Sequence, residues 1–331
     1  MILRESIVPP RHAIPDTALQ MSRISIFAAI ACLMLLGGCT RGLDIGVTTI
    51  KPASLDELKT YVLKRKPDFE QFKLRGPYAV TVHKDRELRL SATERIDADL
   101  YLSASPERAP LVILLHGLDN SKQTHGYQAL HLASWGMHSL SLQLPNNGPW
   151  VTNGHTLARM VKSIHDRPEI IDRRIDPQRI VLAGHSFGGT SVAVALAQGA
   201  PAVGGILLDP AGVSRTLPDH LGKIRVPVMV VSSDARVSVA RNRDDFYDYM
   251  QGDVAEISIS GASHEDAQFP LETAMPEAGT HTSARDDAQL SFVGALASAA
   301  FSLGFTGALD YAWSSFDAAL RSGILLDARR K

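Results

Sequence analysis

A serine set between glycines is the part of the sequence best suited to chemistry. Residues 184–189 read Gly-His-Ser-Phe-Gly-Gly, with Ser186 at the centre, an apolar run before them and a helical pattern of small and apolar residues after them. Between a strand and a helix, a G-x-S-x-G pattern forms a sharp turn that exposes the serine Oγ as a nucleophile. A purely structural turn is the alternative, and the context favours a nucleophile at Ser186.

A serine nucleophile needs backbone N–H groups that bind the oxyanion formed during attack. The N–H of Phe187, at the start of the following helix, is the first candidate. The second is expected in the loop after an earlier strand, where the run Leu111–Leu115 is followed by His116-Gly117-Leu118. We expect the N–H of Leu118 to be this donor and His116 to brace the loop, because the base should follow the serine in the chain.

Three histidines after Ser186 are candidates for the general base: His220, His264 and His281. His264 comes shortly after an apolar run, so a loop can bring it over the carboxyl edge of a sheet. His220 lies in a polar stretch before a strand, and His281 has no strand before it. The spacing favours His264, with a solvated loop histidine as the alternative, and a structural role is expected for His185.

Two carboxylates compete for the role of the acid that orients the base. Asp209 ends the apolar run after the serine, and Asp234 follows the next run. Either could hold the imidazole and stabilise its charged form. The alternatives are a helix cap or a turn residue before Pro210 for Asp209 and a solvated loop charge for Asp234.

The strands and helices that must position these residues are predicted to form an α/β fold. Residues 78–103 alternate apolar and polar, which predicts antiparallel strands. Six short apolar runs then alternate with helical patterns, which predicts a mostly parallel sheet covered on both faces. These runs are Leu111–Leu115, His138–Leu142, Arg179–Ala183, Gly204–Leu208, Val226–Val231 and Ala255–Ser260.

The C-terminal stretch 286–326 is predicted to form two helices. Four apolar residues lie on one face there, and we interpret them as core packing. They are Leu309, Trp313, Phe316 and Leu320.

Composition excludes several classes of protein. The net charge is −1 over 331 residues, and no basic cluster indicates nucleic-acid binding. The two cysteines, Cys32 and Cys39, both lie near the N-terminus. The rest of the chain therefore offers no thiolate for a metal site or a cysteine nucleophile, and we expect neither a metal nor an organic cofactor.

The N-terminal segment has the pattern of a targeting sequence. An apolar run over 24–36 follows Arg23 and has the length of a secretory h-region. Leu36-Gly37-Gly38-Cys39 resembles the lipobox of bacterial lipoproteins, which implies lipidation of Cys39. We expect residues 1–38 to be a signal peptide with its true start at Met21, which predicts an exported lipoprotein anchored to a membrane of the bacterial cell envelope.

Two further regions are expected after the signal peptide. Residues 39–75 are predicted to be a tether and N-terminal extension, with a short helix over 54–66. Residues 76–331 are predicted to be the catalytic domain, including the C-terminal helices.

Over about 75–300 these motifs resemble the α/β-hydrolase fold. The match is narrower to platelet-activating-factor acetylhydrolases and their dienelactone-hydrolase and chlorophyllase-like neighbours. It is carried by His116-Gly117-Leu118, by "LASWG" at 132–136, by "GHSFGG" at 184–189, by "LLDP" at 207–210 and by "SGASH" at 260–264.

In that branch the acid follows the strand next to the nucleophile strand, which points to Asp209. Other α/β-hydrolases, including polyester hydrolases, carry it one strand later, where Arg236 stands here. The lipobox and the stretch Leu144-Pro145-Asn146-Asn147 depart from the acetylhydrolase pattern.

The resemblance implies a serine carboxylic-ester hydrolase that forms an acyl-enzyme. Its substrate would be a small or lipophilic ester, such as a short-acyl phospholipid. The alternatives are a polyester or cutinase-like esterase, a peptidase or acyltransferase with the same triad, and a catalytically silent lipoprotein that binds a ligand. We expect contact with a membrane through the lipid anchor, and no protein partner is predicted.

Overall fold

The fold is known from a computed structural model that describes residues 67–91, 94–105, 108–144, 150–212, 215–237, 243–271 and 284–331. The predicted signal peptide, Cys39, the helix expected over 54–66 and His281 lie outside the described residues.

One mixed sheet runs through the described part of the chain. Its strand order is β1-β2-β4-β3-β5-β6-β7-β8-β9. The six strands β3 to β8 are parallel to one another, while β1, β2 and β9 pair antiparallel at the two ends. The strands are β1 Val80–Arg89, β2 Arg95–Ser103, β3 Ala109–Leu115, β4 His138–Leu142, β5 Ile175–His185, β6 Gly204–Leu208, β7 Val228–Ser232, β8 Val254–Ile259 and β9 Leu325–Arg330.

Helices cover both faces of this sheet, as predicted for an α/β fold. The helices are α1 Phe69–Lys73, α2 Gly126–Ser134, α3 Trp150–Asp166, α4 Phe187–Ala197, α5 Leu217–Leu221, α6 Arg243–Tyr249, α7 Ala284–Thr306, α8 Asp310–Ser315 and α9 Asp317–Ser322. Successive residues of β3 point to opposite faces. Val112 and Leu114 share an apolar cluster with residues of α1, α2 and α7 to α9, while Leu111 and Ile113 share another with residues of α3 to α6.

The predicted strands agree with the structure. Each of the six apolar runs overlaps one of β3 to β8, and the alternating stretch 78–103 forms the antiparallel pair β1 and β2. Most of β2 is nevertheless buried on both faces, because Leu100 and Leu102 pack in the cluster on one face of the sheet and Tyr101 packs in the cluster on the other.

The prediction of two helices over 286–326 is wrong in the number of helices as well as in their boundaries. The structure has one 23-residue helix, α7, then two short helices and the start of strand β9. Gly307 follows α7 and Gly323 follows α9, each with a positive φ, of 73° and 76°. A left-handed residue of this kind ends a helix, and glycine adopts it without steric strain.

The apolar stripe predicted as core packing does belong to the core. Leu309 and Phe316 are fully buried, and Trp313 and Leu320 pack against the same cluster. Phe69 and Phe72 of α1 also lie in this cluster, so the core includes part of the stretch predicted as an extension.

Helix α7 has the length and apolarity of a membrane span over Asp286–Thr306. Its most apolar stretch is completely buried within the fold. The core helix of a globular protein meets the same criteria.

Candidate active site

Ser186 lies in a strained turn between β5 and α4. Its φ is +55° and its ψ is −124°, a conformation that residues with a Cβ rarely adopt. The strand and helix approach each other so closely that a Cβ on Gly184 would lie 2.5 Å from the carbonyl of Gly188. A Cβ on Gly188 would in turn collide with the carbonyl oxygen of His116. The glycines flanking Ser186 are therefore required by the close packing of this turn.

The loop that carries the proposed second oxyanion donor lies against Ser186. A Cβ on Gly117 would be 3.0 Å from the Cβ of Ser186. The N–H of Leu144 donates to Nε2 of His116 at 3.0 Å, so this nitrogen carries no proton. The proton is therefore on Nδ1, which donates to the carbonyl oxygen of Gly117 at 2.7 Å.

This hydrogen bond orients the next peptide group. In a trans peptide the C=O and the following N–H point in opposite directions. By holding the Gly117 carbonyl, His116 fixes the direction of the Leu118 N–H. Burial lowers the pKa of His116 and favours the neutral imidazole that this arrangement needs.

Asp209 and His264 contact each other directly. Nδ1 of His264 lies 2.6 Å from Oδ2 of Asp209, whose side chain is fully buried. Ser233 holds the same carboxylate through its backbone N–H at 2.9 Å and its hydroxyl at 2.8 Å. Burial lowers the pKa of His264, but the hydrogen bond and charge of Asp209, helped by Glu265, raise it above its usual value overall.

Asp234, the alternative acid, is engaged elsewhere. Its carboxylate accepts hydrogen bonds from Arg236 and, at 2.8 Å, from the N–H of Gly261. Its own N–H donates to the carbonyl of Ala262 at 2.9 Å. The Arg236 guanidinium keeps the pKa of Asp234 far below its usual range. Asp234 thus braces the loop that leads to His264, while Asp209 contacts the imidazole itself.

His185 links the turn at Ser186 to His264. Its ring centroid is 4.5 Å from that of His264, and its Nε2 lies 3.0 Å from the His264 carbonyl oxygen. Ser186, Asp209 and His264 therefore follow β5, β6 and β8, all at the carboxyl edge of the sheet. His220, the alternative base within the described residues, lies on α5, with Lys223 and His155 among the titratable groups near it.

One residue of this site, Ser233, and one contact, between His185 and His264, are not predicted from the sequence. Ser233 directly follows β7, and Asp209 directly follows the neighbouring strand β6. These positions could have indicated a contact between the two residues. The contact between His185 and His264 depends on the fold alone, because the two residues are 79 positions apart.

The comparison with protein families identifies the superfamily of the chain. The model of the alpha/beta hydrolase family matches residues 112–329, about two thirds of the chain. The chain belongs to the alpha/beta hydrolase family. No curated protein matches it. The family match starts within β3 and ends within β9, so it includes Ser186, Asp209 and His264.

In the described part of this alpha/beta hydrolase, no group of three or more His, Cys, Asp or Glu side chains is placed to hold a metal ion. The histidines around the site instead bond to backbone and side-chain groups.

Buried histidines should make this alpha/beta hydrolase unstable in mild acid. Burial lowers the pKa values of His125, His131 and His138 to about 4, whereas an unfolded histidine titrates near pH 6.5. Below pH 6.5 the unfolded chain binds protons that the folded chain does not, so the free energy of unfolding decreases as the pH is lowered. From pH 7 to pH 5 the expected loss is about 2 kcal/mol per histidine, or about 5–6 kcal/mol for the three.

Urea unfolding at pH 7, 6 and 5 measures this loss. His264 has the opposite sign, because its pKa is raised, and offsets a small part of it. The His131→Gln variant should lose about 2 kcal/mol less than the wild type over the same range. An unfolding free energy that stays constant between pH 7 and pH 5 would contradict the prediction.

Proposed function

We propose that the protein is a serine carboxylic-ester hydrolase that works through an acyl-enzyme. The observation that carries this proposal is the contact between Asp209 and His264 beside the strained turn at Ser186. A buried carboxylate on Nδ1 of an imidazole leaves Nε2 free to accept a proton, which is the arrangement of a serine hydrolase triad.

The reaction follows from these groups. Ser186 Oγ attacks the ester carbonyl while its proton passes to Nε2 of His264. The N–H groups of Leu118 and Phe187 stabilise the oxyanion. When the intermediate collapses, the bond to the alcohol breaks and His264 returns the proton to the leaving oxygen. Water then attacks the acyl-enzyme, giving its proton to His264, which passes it back to Ser186 as the acid leaves.

Electrostatics support His264 as the base. Asp209 is buried, so its charge acts on the imidazole with little solvent screening. Burial lowers the pKa of His264, but the hydrogen bond to Asp209 and the charge of Asp209 outweigh it and stabilise the imidazolium that forms during each proton transfer. His185 and His116 have lowered pKa values and stay neutral beside it.

Two exposed apolar side chains support a lipophilic ester as substrate. Leu118 follows β3 and is 42% exposed, and Val237 follows β7 and is 54% exposed. Both belong to loops at the carboxyl edge of the sheet, where the candidate site lies. Apolar groups there would interact with the acyl chain or with a lipid surface.

An activity panel tests the proposal. We expect hydrolysis of p-nitrophenyl esters from acetyl to dodecanoyl and covalent labelling by a fluorophosphonate probe. Faster cleavage of the matching p-nitroanilides would favour a peptidase, and acyl transfer to an added alcohol in preference to water would favour an acyltransferase. Absence of both labelling and ester turnover would reject the proposal and favour a catalytically silent binding protein.

We further propose that the protein is a lipoprotein anchored through Cys39, with residues 1–38 removed, on the basis of the lipobox-like Leu36-Gly37-Gly38-Cys39. Expressed in a bacterial host, the wild-type chain should partition with membranes, and Cys39→Ser should move to the soluble fraction of the envelope. The matched control is Cys32→Ser, which lies in the same apolar segment and should stay with membranes. Mass spectrometry that finds an unmodified Cys39 would reject the anchor.

A further inference from the structure

His185 is a fully enclosed imidazole that the proposed reaction does not use. It ends β5 directly before Ser186, and it is 1% exposed. A backbone carbonyl only accepts hydrogen bonds, so Nε2 of His185 carries the proton that is donated to the His264 carbonyl oxygen at 3.0 Å. Among the described residues, Nδ1 of His185 is buried without a partner. The ring's hydrogen bond to His264 is thus its single polar contact in the described structure.

The loop before His264 is held at its other end by a different residue. Asp234 accepts the N–H of Gly261 and donates its own N–H to the Ala262 carbonyl. His185 supplies the contact at the His264 end, where the imidazole must be aimed. Its ring also packs against the His264 ring, at an angle of 44° between the ring planes.

We propose that His185 is a positioning residue that holds His264 between Asp209 and Ser186. This inference rests on the proposed function and adds a residue outside the triad. The titratable groups that face His185 are His264, His125 and His116, and burial together with these neighbours keeps its pKa well below the usual value. His185 therefore stays neutral and does not compete with His264 for the proton.

A pair of variants of similar shape tests the hydrogen bond. Glutamine at position 185 keeps an N–H donor at the end of the side chain, whereas methionine has nearly the same length and no donor. We expect His185→Met to lower kcat on p-nitrophenyl acetate about 10–100-fold, since a misplaced catalytic group loses rate on this scale. KM should change much less, and His185→Gln should recover most of the rate.

The pH profile separates positioning from a loss of stability. The acid limb of kcat/KM reports the pKa of the base in the free enzyme. The groups that face His264 are Asp209, Glu265 and His185. If His264 is held less firmly against Asp209, its pKa falls towards the usual value, so the acid limb of His185→Met should move to lower pH.

His131→Met is the matched control. His131 is equally buried, and its ring Nε2 lies 2.7 Å from the backbone carbonyl oxygen of Phe72, far along the chain from the site residues. His131→Met should lower the melting temperature as His185→Met does. Its kcat and the acid limb of its kcat/KM profile should stay those of the wild type. If His185→Met does not fold, His185→Phe, which also lacks an N–H donor, replaces it.

The outcomes separate the two proposals. A wild-type protein without ester turnover rejects the proposed function. If the wild-type protein hydrolyses esters and His185→Met keeps the wild-type kcat and acid limb, only the positioning role is rejected. Equal changes in His185→Met and His131→Met would also reject it, because a general loss of stability would then explain both.

Discussion

Ser186→Ala is expected to lower kcat/KM for ester hydrolysis by about 10⁴-fold or more, because loss of the nucleophile removes the acyl-enzyme route entirely. Fluorophosphonate labelling should disappear with it. The fold should remain, since alanine removes only the hydroxyl and the turn is held by the backbone N–H of Ser186, which donates to the carbonyl of Leu208. Turnover, labelling and the circular dichroism spectrum of the same preparation measure the three effects.

Ser191→Ala is the matched control for this variant. Ser191 lies on the same helix, α4, and its hydroxyl donates to the carbonyl of Phe187 at 2.9 Å. We expect its turnover to stay near that of the wild type. If Ser186→Ala kept more than a few per cent of the wild-type rate in a preparation free of contaminating esterase, Ser186 would not be the nucleophile.

Asp209→Asn is expected to lower kcat/KM by about 10³–10⁴-fold, as loss of the triad carboxylate does in serine proteases. The physical reason is the tautomer of His264. An asparagine amide N–H facing Nδ1 favours the imidazole with its proton on Nε2, which cannot accept the serine proton. Steady-state kinetics on one ester, with thermal melting to check the fold, measure the effect.

Asp234→Asn provides the comparison between the two carboxylates. Asparagine keeps an oxygen that can accept the N–H of Gly261, but it loses the charge that pairs with Arg236. We expect a loss of about tenfold or less, as for a neighbour that acts through the local field and the loop. If Asp234→Asn lost far more kcat/KM than Asp209→Asn, the acid would be the carboxylate that follows β7, as in polyester hydrolases.

The turn at Ser186 was predictable because its determinants are local. The glycines flanking the serine, the apolar run before it and the helical pattern after it occupy one short stretch of sequence. The preference for Asp209 rested on family resemblance, because both Asp209 and Asp234 end strands of the same sheet. Only the fold shows that Arg236 engages Asp234 while His264 lies against Asp209.

Strand β9 could not be predicted from the sequence because its stability depends on partners that are distant along the chain. After Leu325 it is largely polar, and its arginines pair with Glu256 on β8 and with Asp253 just before β8. Helix α1 is five residues long, too short for a periodic pattern, and Phe69 and Phe72 are held by contacts with later helices. Propensity alone does not stabilise so short a helix.

The packing of α1 on α7 has a consequence for how the chain folds. Gly294 of α7 lies so close to α1 that a Cβ there would be 3.2 Å from the carbonyl oxygen of Phe69, and the Tyr311 hydroxyl donates to the carbonyl of Pro67 across 244 positions. Folding that depends on contacts so distant along the chain is slow, because their loop-closure entropy is lost before they stabilise the fold. One face of the sheet stays uncovered until α7, near the C-terminal end of the chain, has packed on it, so this alpha/beta hydrolase should depend on chaperones more than a protein of similar size with local contacts.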